Sequence, residues 1–386
     1  ALGWGPDAGD DPDDVGQALV AQRCGQLDRG ATGPTWGGLP AELKGDGHGG
    51  SLHRSSVTRR RRYDAYMSDF WSERRVLITG GTGFLGSAVQ RALAPLAPGE
   101  VITPTSAECD LRDPTATDKL FSATAPDLVI HLAARVGGIG ANRERPGDLY
   151  LDNLLIGTHV IDAARRHEVA KTVAVGTICS YPKITPVPFQ ESSLWTGYPE
   201  ETNAPYGVAK LAMLTQIQAN ADQYGQRAIY LLPTNLYGPG DKFNPKVSHV
   251  IPALIRRMVE AKEADAPFIE VWGTGSASRE FLYVDDAAAG ILAAAERNDG
   301  IDPVNLGSNH EMLISELVPL VAELVGYAGE IRWDTSKPDG QPRRGVDASR
   351  AKELFGWTAN TELRKGMKTT IEWFLNNREA AEARAN

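Results

Sequence analysis

The chain of 386 residues is long enough for two domains, or for one large α/β domain with an additional lobe. Its net charge of −9 argues against a dedicated nucleic-acid-binding protein, and no apolar run reaches the length of a membrane span. The three cysteines do not form a disulfide framework and suit a reducing compartment. We therefore expect a cytoplasmic protein with neither a nucleic-acid nor a membrane partner.

Residues 1–69 differ in composition from the rest of the chain, with many Gly, Pro, Asp and Ser residues and no sustained period of 2 or 3.6. Four consecutive arginines, residues 59–62, stand near the end of this segment. We expect a disordered extension, or upstream sequence that precedes a natural start at Met67. The alternative is an arm that binds an acidic surface through these arginines.

An apolar stretch at residues 75–79 predicts a short buried strand, and residues 87–96 predict the helix that follows it. Between them lie Gly80, Gly83 and Gly86. Glycines at this spacing allow a tight turn, close approach of the backbone to a pyrophosphate and close helix packing, with the phosphate at the helix N-terminus. The strand–glycine–helix order therefore predicts a dinucleotide site. The same turn contributes Thr82, Phe84 and Leu85.

Residues 101–103 predict the second strand, after which a contact with the cofactor ribose is expected. An acid there would bind the ribose hydroxyls of NAD, and an arginine would accommodate the phosphate of NADP. The chain has Thr105 and Ser106 instead, so we expect hydroxyl groups rather than a carboxylate or a guanidinium in the ribose pocket. Asp110 and Leu111 follow and are expected to border the adenine. The dinucleotide site is thus predicted without a choice between NAD and NADP.

A third apolar stretch, residues 127–133, predicts another buried strand. It ends in Ala133 and Ala134, whose small size lets the backbone approach a cofactor. His131 lies inside the strand and is expected to be a core histidine rather than a catalyst. Two further elements follow, a glycine-rich loop at residues 135–142 and a long helix at residues 150–167. The alternation of strands and helices predicts an α/β fold with a doubly wound parallel sheet of the Rossmann type.

The chemistry is expected around a fourth buried strand, residues 171–175. Thr177 and Cys179 would lie at its C-terminal end, where open α/β sheets bind ligands. Tyr206 and Lys210 are four residues apart and share one face of a helix. An ammonium beside a phenol favours the phenolate, and the hydroxyl of Thr177 can hydrogen-bond the same substrate oxygen. This group is suited to reducing a carbonyl beside a nicotinamide. Taken without that context, the tyrosine and lysine would better fit an exposed helical lysine near a packing tyrosine.

The second half of the chain has a more mixed pattern. Strands are predicted at residues 229–233, 269–272 and 304–307, and helices at 206–224, from 248–252 onward, and at 287–296, 314–325 and 363–376. A loop is predicted at residues 336–344. We predict a Rossmann domain at residues 70–240 with a returning segment at about 280–308, and a smaller α/β lobe at residues 241–279 and 309–386.

Several motifs in the chain match those of a known family. They lie at residues 135–142, 179–183, 201–210, 233–239, 248–254, 279–282 and 336–340. From residue 75 to about residue 377, the chain resembles the extended short-chain dehydrogenases/reductases that act on nucleotide sugars. Within them it is most similar to the GDP-4-keto-6-deoxymannose 3,5-epimerase/4-reductases. The tyrosine–lysine pair and the glycines mark only the superfamily, whereas the contexts of Cys179 and His249 are specific.

The resemblance implies a bifunctional enzyme that converts GDP-4-dehydro-6-deoxy-D-mannose to GDP-L-fucose. Because the substrate is a 4-ketone, its protons at C3 and C5 are acidic, and inversion needs one group to remove a proton and another to return one on the opposite face. The resemblance assigns Cys179 as the base and His249 as the acid. Taken alone, Cys179 would read as a small buried residue and His249 as a surface residue at a helix start.

For the reduction, the resemblance implies that Tyr206 donates a proton to the C4 oxygen while Lys210 holds the nicotinamide ribose. Thr177 stands where the family usually has a serine. The implied cofactor is NADPH, and NADH stays possible because Thr82 and Thr105 replace the arginines that are common in the family. The resemblance also places Pro233, Asn235 and Leu236 in the cofactor site, together with Lys210 and His249.

The smaller lobe is implied to hold the GDP half of the substrate through Arg257, Trp272, Arg279, Lys337, Asp339 and Arg344, and the sugar is implied to contact Ile178 and Asn235. Arginines bind diphosphates through paired donors, and an indole can stack on a ring. Core packing is the alternative for Trp272. Ile178 replaces a polar residue, which leaves open another nucleotide sugar such as a GDP-deoxyheptose. A non-catalytic dinucleotide sensor is a further alternative. We expect a homodimer, formed by the helices at 150–167 and 206–224, and no metal site.

Overall fold

A computed structural model describes residues 70–244, 247–337 and 339–383, so the predictions for residues 1–69 lie outside the described residues. The strands are β1 (Arg75–Thr79), β2 (Glu100–Ile102), β3 (Leu128–His131), β4 (Lys171–Val175), β5 (Ala228–Pro233), β6 (Asn235–Tyr237), β7 (Phe268–Trp272), β8 (Ser278–Tyr283), β9 (Val304–Leu306), β10 (Glu311–Leu313) and β11 (Glu330–Asp334).

Helices lie between most of these strands. They are α1 (Phe84–Leu93), α2 (Pro114–Thr124), α3 (Ile139–Glu144), α4 (Pro146–Arg166), α5 (Ala204–Tyr224), α6 (Val250–Glu263), α7 (Val284–Arg297), α8 (Ile314–Val325), α9 (Ser349–Phe355), α10 (Leu363–Asn376) and α11 (Arg378–Ala383). Short 3₁₀ helices cover Ala94–Leu96, Ile178–Ser180 and Glu191–Trp195. Within the described residues, no helix combines the length and the apolar character needed to cross a membrane.

Six strands form the central sheet in the spatial order β2-β1-β3-β4-β5-β9, and every neighbouring pair is parallel. All residues of β3, β4 and β5 are buried, as expected for strands covered on both faces. The chain runs outward from β1 to β2 and then returns to β3, so the strand order reverses beside β1. Ligands bind at such a reversal, outside the carboxyl ends of the strands. The predicted doubly wound Rossmann fold is confirmed.

Two small sheets lie outside the central one. In the first, β8 pairs antiparallel with β10 and parallel with β6, and in the second β7 pairs parallel with β11. A separate hydrophobic cluster joins α6, α8 and α10 to these strands. The described chain also packs a late segment back onto the first sheet, since Phe355 of α9 and Trp357 belong to the same cluster as β1 and α7. The division into two lobes stays a prediction.

The sequence locates the long elements closely and misses several short ones. Helices α8 and α10 begin and end at the predicted residues. The missed elements are α2, α3, α9, α11, β6, β8, β10 and β11, and α3 begins inside the stretch predicted as a glycine-rich loop. Helix α2 did carry a start signal, because Asp113 is its N-cap, accepts from the backbone nitrogen of Thr115 at 2.8 Å and precedes a proline at the first position.

Candidate active site

The turn after β1 has the backbone geometry that a dinucleotide-binding turn needs. Gly80 has a φ of +71°, and a Cβ on it would lie 2.8 Å from the backbone nitrogen of Ala133. A Cβ on Gly86 would overlap with the carbonyl oxygen of Gly80. Helix α1 has Gly83 at its N-cap, so no side chain occupies the space before its first N–H groups. This cradle fits the phosphates of a dinucleotide.

The other residues predicted for this part of the site surround the turn. Thr82 is exposed, while Phe84 and Leu85 are partly buried against the core beneath the sheet. Ala133 and Ala134 are partly buried just after β3. His131 is fully buried and its Nδ1 lies 2.7 Å from the hydroxyl of Thr79. Burial lowers the pKa of His131 to about 3, and the charge of Lys210 contributes, so the ring is neutral and structural.

A carboxylate stands beside Thr105, which corrects the prediction that only hydroxyl groups line this edge. The backbone N–H and the hydroxyl of Thr105 both donate to Glu108 at 2.8 Å. These hydrogen bonds lower the pKa of Glu108, so the group is ionised at neutral pH. Glu108 lies in a turn three residues beyond Thr105. The sequence did not reveal it because it lies outside any predicted strand. The donors of Thr105 are therefore engaged by an anion of the protein itself.

Asp110 belongs to a chain of ion pairs that reaches the glycine-rich loop. Arg112 donates to Asp110 at 2.7 Å and to Asp152 of α4 at 3.2 Å, and Asp152 also accepts from Arg135 at 2.6 Å. Hydrogen bonds from Arg112 lower the pKa of Asp110 to about 2. Leu111 is buried between them. The two guanidinium groups at this edge are thus already neutralised by two carboxylates.

Helix α5 brings Tyr206 against the segment after β4 by a close approach at Gly207. A Cβ on Gly207 would overlap with the carbonyl oxygen of Cys179, and the hydroxyl of Ser180 donates to the carbonyl of Gly207 at 3.1 Å. Thr177 accepts from the backbone nitrogen of Cys179 at 3.2 Å and is hydrogen-bonded to Tyr206. The predicted group of hydroxyl, thiol and phenol is therefore assembled in one place. The sequence did not indicate the role of Gly207.

Lys210 lies one helical turn further on and is 4% exposed. Its Nζ donates to the carbonyl oxygen of Val175 at 3.1 Å, and the carbonyl oxygen of Lys210 itself accepts from the hydroxyl of Tyr230 at 2.9 Å. A Cβ on Gly176 would overlap with the Tyr230 ring, so the glycine after β4 makes room for this support. Burial lowers the pKa of Lys210 to about 8.

The predicted lowering of the phenol pKa by Lys210 does not occur in this structure. Burial raises the pKa of Tyr206 above its ordinary value, the nearby Cys179 adds to the rise, and the hydrogen bond with Thr177 opposes it. Lys210 points to a backbone carbonyl instead of the phenol oxygen. In the protein without ligands, Tyr206 is therefore a protonated phenol, which is the form that a general acid needs.

His249 is the N-cap of α6 and is exposed to solvent. Desolvation of the imidazole by the surrounding protein lowers the pKa of His249, and the nearby charge of Lys242 lowers it further. Asp241, which precedes Lys242, is 3% exposed, and its Oδ2 has no hydrogen-bond partner among the described residues. Burial raises the pKa of Asp241 to about 7. His249 thus stands in a polar, partly enclosed part of the surface.

Two arginines predicted for the substrate lie close together between the small sheets. Burial lowers the pKa of Arg279 to about 10, and the charge of Arg344 contributes. Arg279 donates to the carbonyl oxygens of Ser278 and Gln341 at 2.7 Å, and the Nε of Arg344 is buried with no partner in the described part of the chain. Two crowded guanidinium groups with unused donors are suited to an anion such as a diphosphate.

The remaining predicted substrate residues flank these arginines. Asp339 accepts from the backbone nitrogen and the hydroxyl of Thr274, both at 2.7 Å. Trp272 is 68% exposed, so the core-packing alternative is wrong. The ammonium of Lys337 lies 5.8 Å from the centre of its ring. Arg257 is exposed and donates to the carbonyl oxygen of Glu270. Arg257, Glu270 and Trp272 line one shallow pocket with Phe268 and Ile269.

Four other predicted residues serve the framework in this structure. Ile178 is 3% exposed and packs among core side chains such as Tyr181 and Leu211, which corrects the prediction that it contacts the sugar. Pro233 is buried at the end of β5 and Leu236 is partly buried against the main core. The amide of Asn235 donates to the carbonyl oxygen of Glu280 at 2.9 Å.

Glu280 is a supporting residue that the sequence did not reveal. Its carboxylate is 1% exposed and accepts from the backbone nitrogens of Val346 and Asn309 at 2.7 and 2.8 Å. It therefore fixes the segment that follows Arg344. The sequence offered one signal for this role, an acidic residue within a short apolar stretch next to Arg279. The mixed pattern of the region hid the strand and therefore the signal.

Comparisons with known proteins agree with this geometry. Residues 76–307 match the model of the NAD dependent epimerase/dehydratase family. The chain is 44% identical to GDP-L-fucose synthase 1 of Arabidopsis thaliana over 303 residues, which cover 78% of this chain and 94% of the relative. A GDP-L-fucose synthetase of Naegleria fowleri bound to NADP has a TM-score of 0.73 at 28% identity, over 80% of this chain and 95% of that one. A GDP-6-OMe-4-keto-L-xylo-heptose reductase of C. jejuni has a TM-score of 0.76 at 28% identity, over 79% and 99%.

Proposed function

The chain belongs to the NAD dependent epimerase/dehydratase family, and from that premise we propose that it is a bifunctional GDP-sugar epimerase/reductase. It converts GDP-4-dehydro-6-deoxy-D-mannose to GDP-L-fucose by inversion at C3 and C5 followed by reduction at C4. The observation that carries the proposal is the assembly of Thr177, Cys179 and Tyr206 at the carboxyl edge of the parallel sheet, beside the buried Lys210. The identity of 44% to a GDP-L-fucose synthase supports the choice of substrate.

Inversion requires a base and an acid on opposite faces of the sugar. Cys179 is partly exposed after β4 and removes the acidic proton beside the ketone as a thiolate. His249 returns a proton to the other face from the N-terminus of α6. The same two groups serve C3 and C5, and each exchanges its proton with water between steps.

Reduction uses the groups around Tyr206. When bound, the dinucleotide supplies a hydride to C4. Tyr206 gives its proton to the C4 oxygen, and the hydroxyl of Thr177 hydrogen-bonds the same oxygen. Lys210 would hold the ribose next to the nicotinamide and would stabilise the negative charge that develops on the Tyr206 oxygen. The raised pKa of Tyr206 in the protein alone keeps this proton in place until the cofactor and ketone are bound.

We propose NADPH as the preferred cofactor, by a margin of about tenfold or less. The glycine cradle and Gly83 at the N-cap of α1 support a dinucleotide, and the NADP-bound relative supports the phosphorylated form. The 2′-phosphate would meet Thr82 and Thr105 without an arginine that pairs with it. The charge of Glu108 and the neutralised state of Arg112 limit the preference.

The GDP half is assigned to the surface between the small sheets. Arg279 and Arg344 bind the diphosphate. The charge of Arg344 lowers the pKa of Arg279, and a bound anion would relieve this repulsion between the two guanidinium groups. Trp272 and Lys337 lie at the outer edge, where an exposed indole face can stack on a base. Asp339 and Arg257 complete this side of the site.

We further propose a cytoplasmic homodimer. Helices α4 and α5 pack on each other, and α4 exposes Tyr150 and Leu151 on its outer side. A second copy can cover these residues by forming a four-helix bundle across a two-fold axis. Light scattering at micromolar concentration is expected to give twice the chain mass, and a monomeric mass would contradict it.

The direct test is to incubate the protein with GDP-4-dehydro-6-deoxy-D-mannose and NADPH. The expected result is loss of the reduced nicotinamide absorbance and formation of GDP-L-fucose, identified by its retention and proton couplings. A GDP-4-keto-heptose is the second candidate substrate, supported by the heptose reductase of C. jejuni. If only the heptose were turned over, it would replace the first substrate in the proposal. If neither keto-sugar supported the oxidation of NADPH, the proposal would be contradicted.

A further inference from the structure

The glycine-rich segment after β3, which comprises residues 135–138 and the start of α3, is anchored at both ends by buried amides. At its start, Asn153 of α4 is 3% exposed, accepts from the backbone nitrogen of Arg135 at 3.0 Å and donates to its carbonyl oxygen at 2.8 Å. At its end, Asn142 is 6% exposed and donates to the carbonyl oxygens of Gly137 and Gly138 at 2.9 and 3.1 Å. Buried amides with satisfied hydrogen bonds fix a loop in one conformation.

The anchored loop touches the backbone next to the proposed acid. A Cβ on Gly138 would lie 3.2 Å from the carbonyl oxygen of Ser248, which is closer than an ordinary van der Waals contact. The next residue is His249, and its carbonyl oxygen accepts from the nitrogen of Ala253 in the first turn of α6. The loop therefore forms a wall against which the segment carrying His249 rests.

We propose that Gly138 is a positioning residue for His249: the absence of a side chain at Gly138 sets where the imidazole lies relative to the sugar. The contact through which Gly138 acts is the Ser248 peptide. This inference rests on the proposed epimerisation, since it assigns the loop to the proton-returning group. The thiol and phenol are held separately, by α5 and the segment after β4.

The test compares Gly138→Ala with Gly140→Ala. A Cβ on Gly140 meets nothing within 4 Å, so the control adds the same methyl group two residues away without a contact. In D₂O, Gly138→Ala is expected to keep deuterium entry at C3, which needs only Cys179, and to form inverted product about tenfold more slowly, because a small displacement of a catalytic group lowers rates steeply. Oxidation of GDP-L-fucose by NADP⁺, which needs no inversion, stays at the wild-type rate in both variants.

A second variant removes the anchor without adding an atom at the contact. Asn142→Ala releases the carbonyl oxygens of Gly137 and Gly138, and it is expected to slow inversion while sparing the oxidation of GDP-L-fucose. Equal losses in inversion and oxidation would show general damage and overturn the proposal, as would equal inversion rates in Gly138→Ala and Gly140→Ala.

An arm that needs no substrate separates this inference from the proposed function. The imidazole of His249 is followed by NMR in the protein alone, with His249→Gln to assign its signal. Its titration midpoint is expected to move in Gly138→Ala and to keep the wild-type value in Gly140→Ala. An unchanged midpoint in both variants contradicts the inference even if the enzyme is active. A shift confined to Gly138→Ala supports it even if GDP-4-dehydro-6-deoxy-D-mannose is not turned over.

Discussion

The carboxyl edge of the central sheet and the arginine surface around Arg279 and Arg344 both bury cations, but they differ in the carboxylates that surround them. Lys210 is 4% exposed and its ammonium donates to a backbone carbonyl, with no carboxylate paired to it among the described residues. Arg279 and Arg344 are partly exposed, and Asp339 and Glu311 lie near enough to favour the charge of Arg279. Burial therefore disfavours the charge in both regions, but carboxylates offset it only where binding is proposed. The comparison predicts that mutations in the first region change rates and those in the second change affinity.

The largest effect is expected for Lys210→Met, which keeps the length of the side chain and removes its charge. The kcat/KM for reduction is expected to fall by about 10³-fold, because Tyr206 loses the cation that stabilises its phenolate. Steady-state rates with NADPH and the keto-sugar measure this. A loss of less than tenfold would mean that the buried ammonium has no part in the chemistry.

The same residue predicts an unusual dependence of stability on pH. Its pKa is about 8 in the folded protein and 10.5 ordinarily, so between these values the unfolded chain binds more protons. The free energy of unfolding is therefore expected to rise with pH from about 8 to 10, by up to about 3 kcal/mol. Urea unfolding of wild type and Lys210→Met checks this. The variant should lack the rise, and equal slopes would show that Lys210 is not held in a charge-excluding site.

The arginine surface is expected to respond in affinity. Arg344→Ala should raise the KM for the GDP-sugar about thirtyfold and leave kcat within about threefold, because the diphosphate is bound equally in the ground and transition states. Arg364→Ala is the matched control, since Arg364 of α10 forms an exposed ion pair with Glu323 of α8. A fall in kcat with an unchanged KM would break the division between the two regions.

The smallest effect is expected at the ribose edge. Glu108→Gln keeps an oxygen for the hydrogen bonds of Thr105 and removes the negative charge. The kcat/KM with NADPH should rise about threefold while that with NADH stays the same, because an exposed like charge repels the 2′-phosphate weakly in water. Comparing the two specificity constants for wild type and variant measures this. An equal rise with both cofactors would place Glu108 away from the phosphate.

The sequence predicts elements and local motifs well because both depend on neighbouring residues. The glycine turn after β1, the placement of Thr177 and Cys179 after β4, and the bounds of α8 and α10 all follow from local pattern. Contacts across the fold do not. The sequence gives no sign that Gly138 meets Ser248, or that Gly207 meets Cys179, because these pairs are distant in the chain.

The sequence also cannot state how burial and charge balance at one group. The spacing of Tyr206 and Lys210 suggests a lowered phenol pKa, yet the folded protein raises it, since the ammonium binds the carbonyl of Val175 and the phenol is enclosed. The burial of Ile178 was also hidden from the sequence, because it depends on the packing of α5 against the segment after β4.

The central claim is that inversion and reduction use different groups, and deuterium exchange with Cys179→Ser and Tyr206→Phe tests it most directly. With the keto-sugar and NADPH in D₂O, Tyr206→Phe should admit deuterium at C3 and C5 at close to the wild-type rate while hydride transfer falls at least about 10²-fold. Cys179→Ser should admit no deuterium, and yet it should still oxidise GDP-L-fucose with NADP⁺. Loss of exchange in Tyr206→Phe, or normal exchange in Cys179→Ser, would contradict the account.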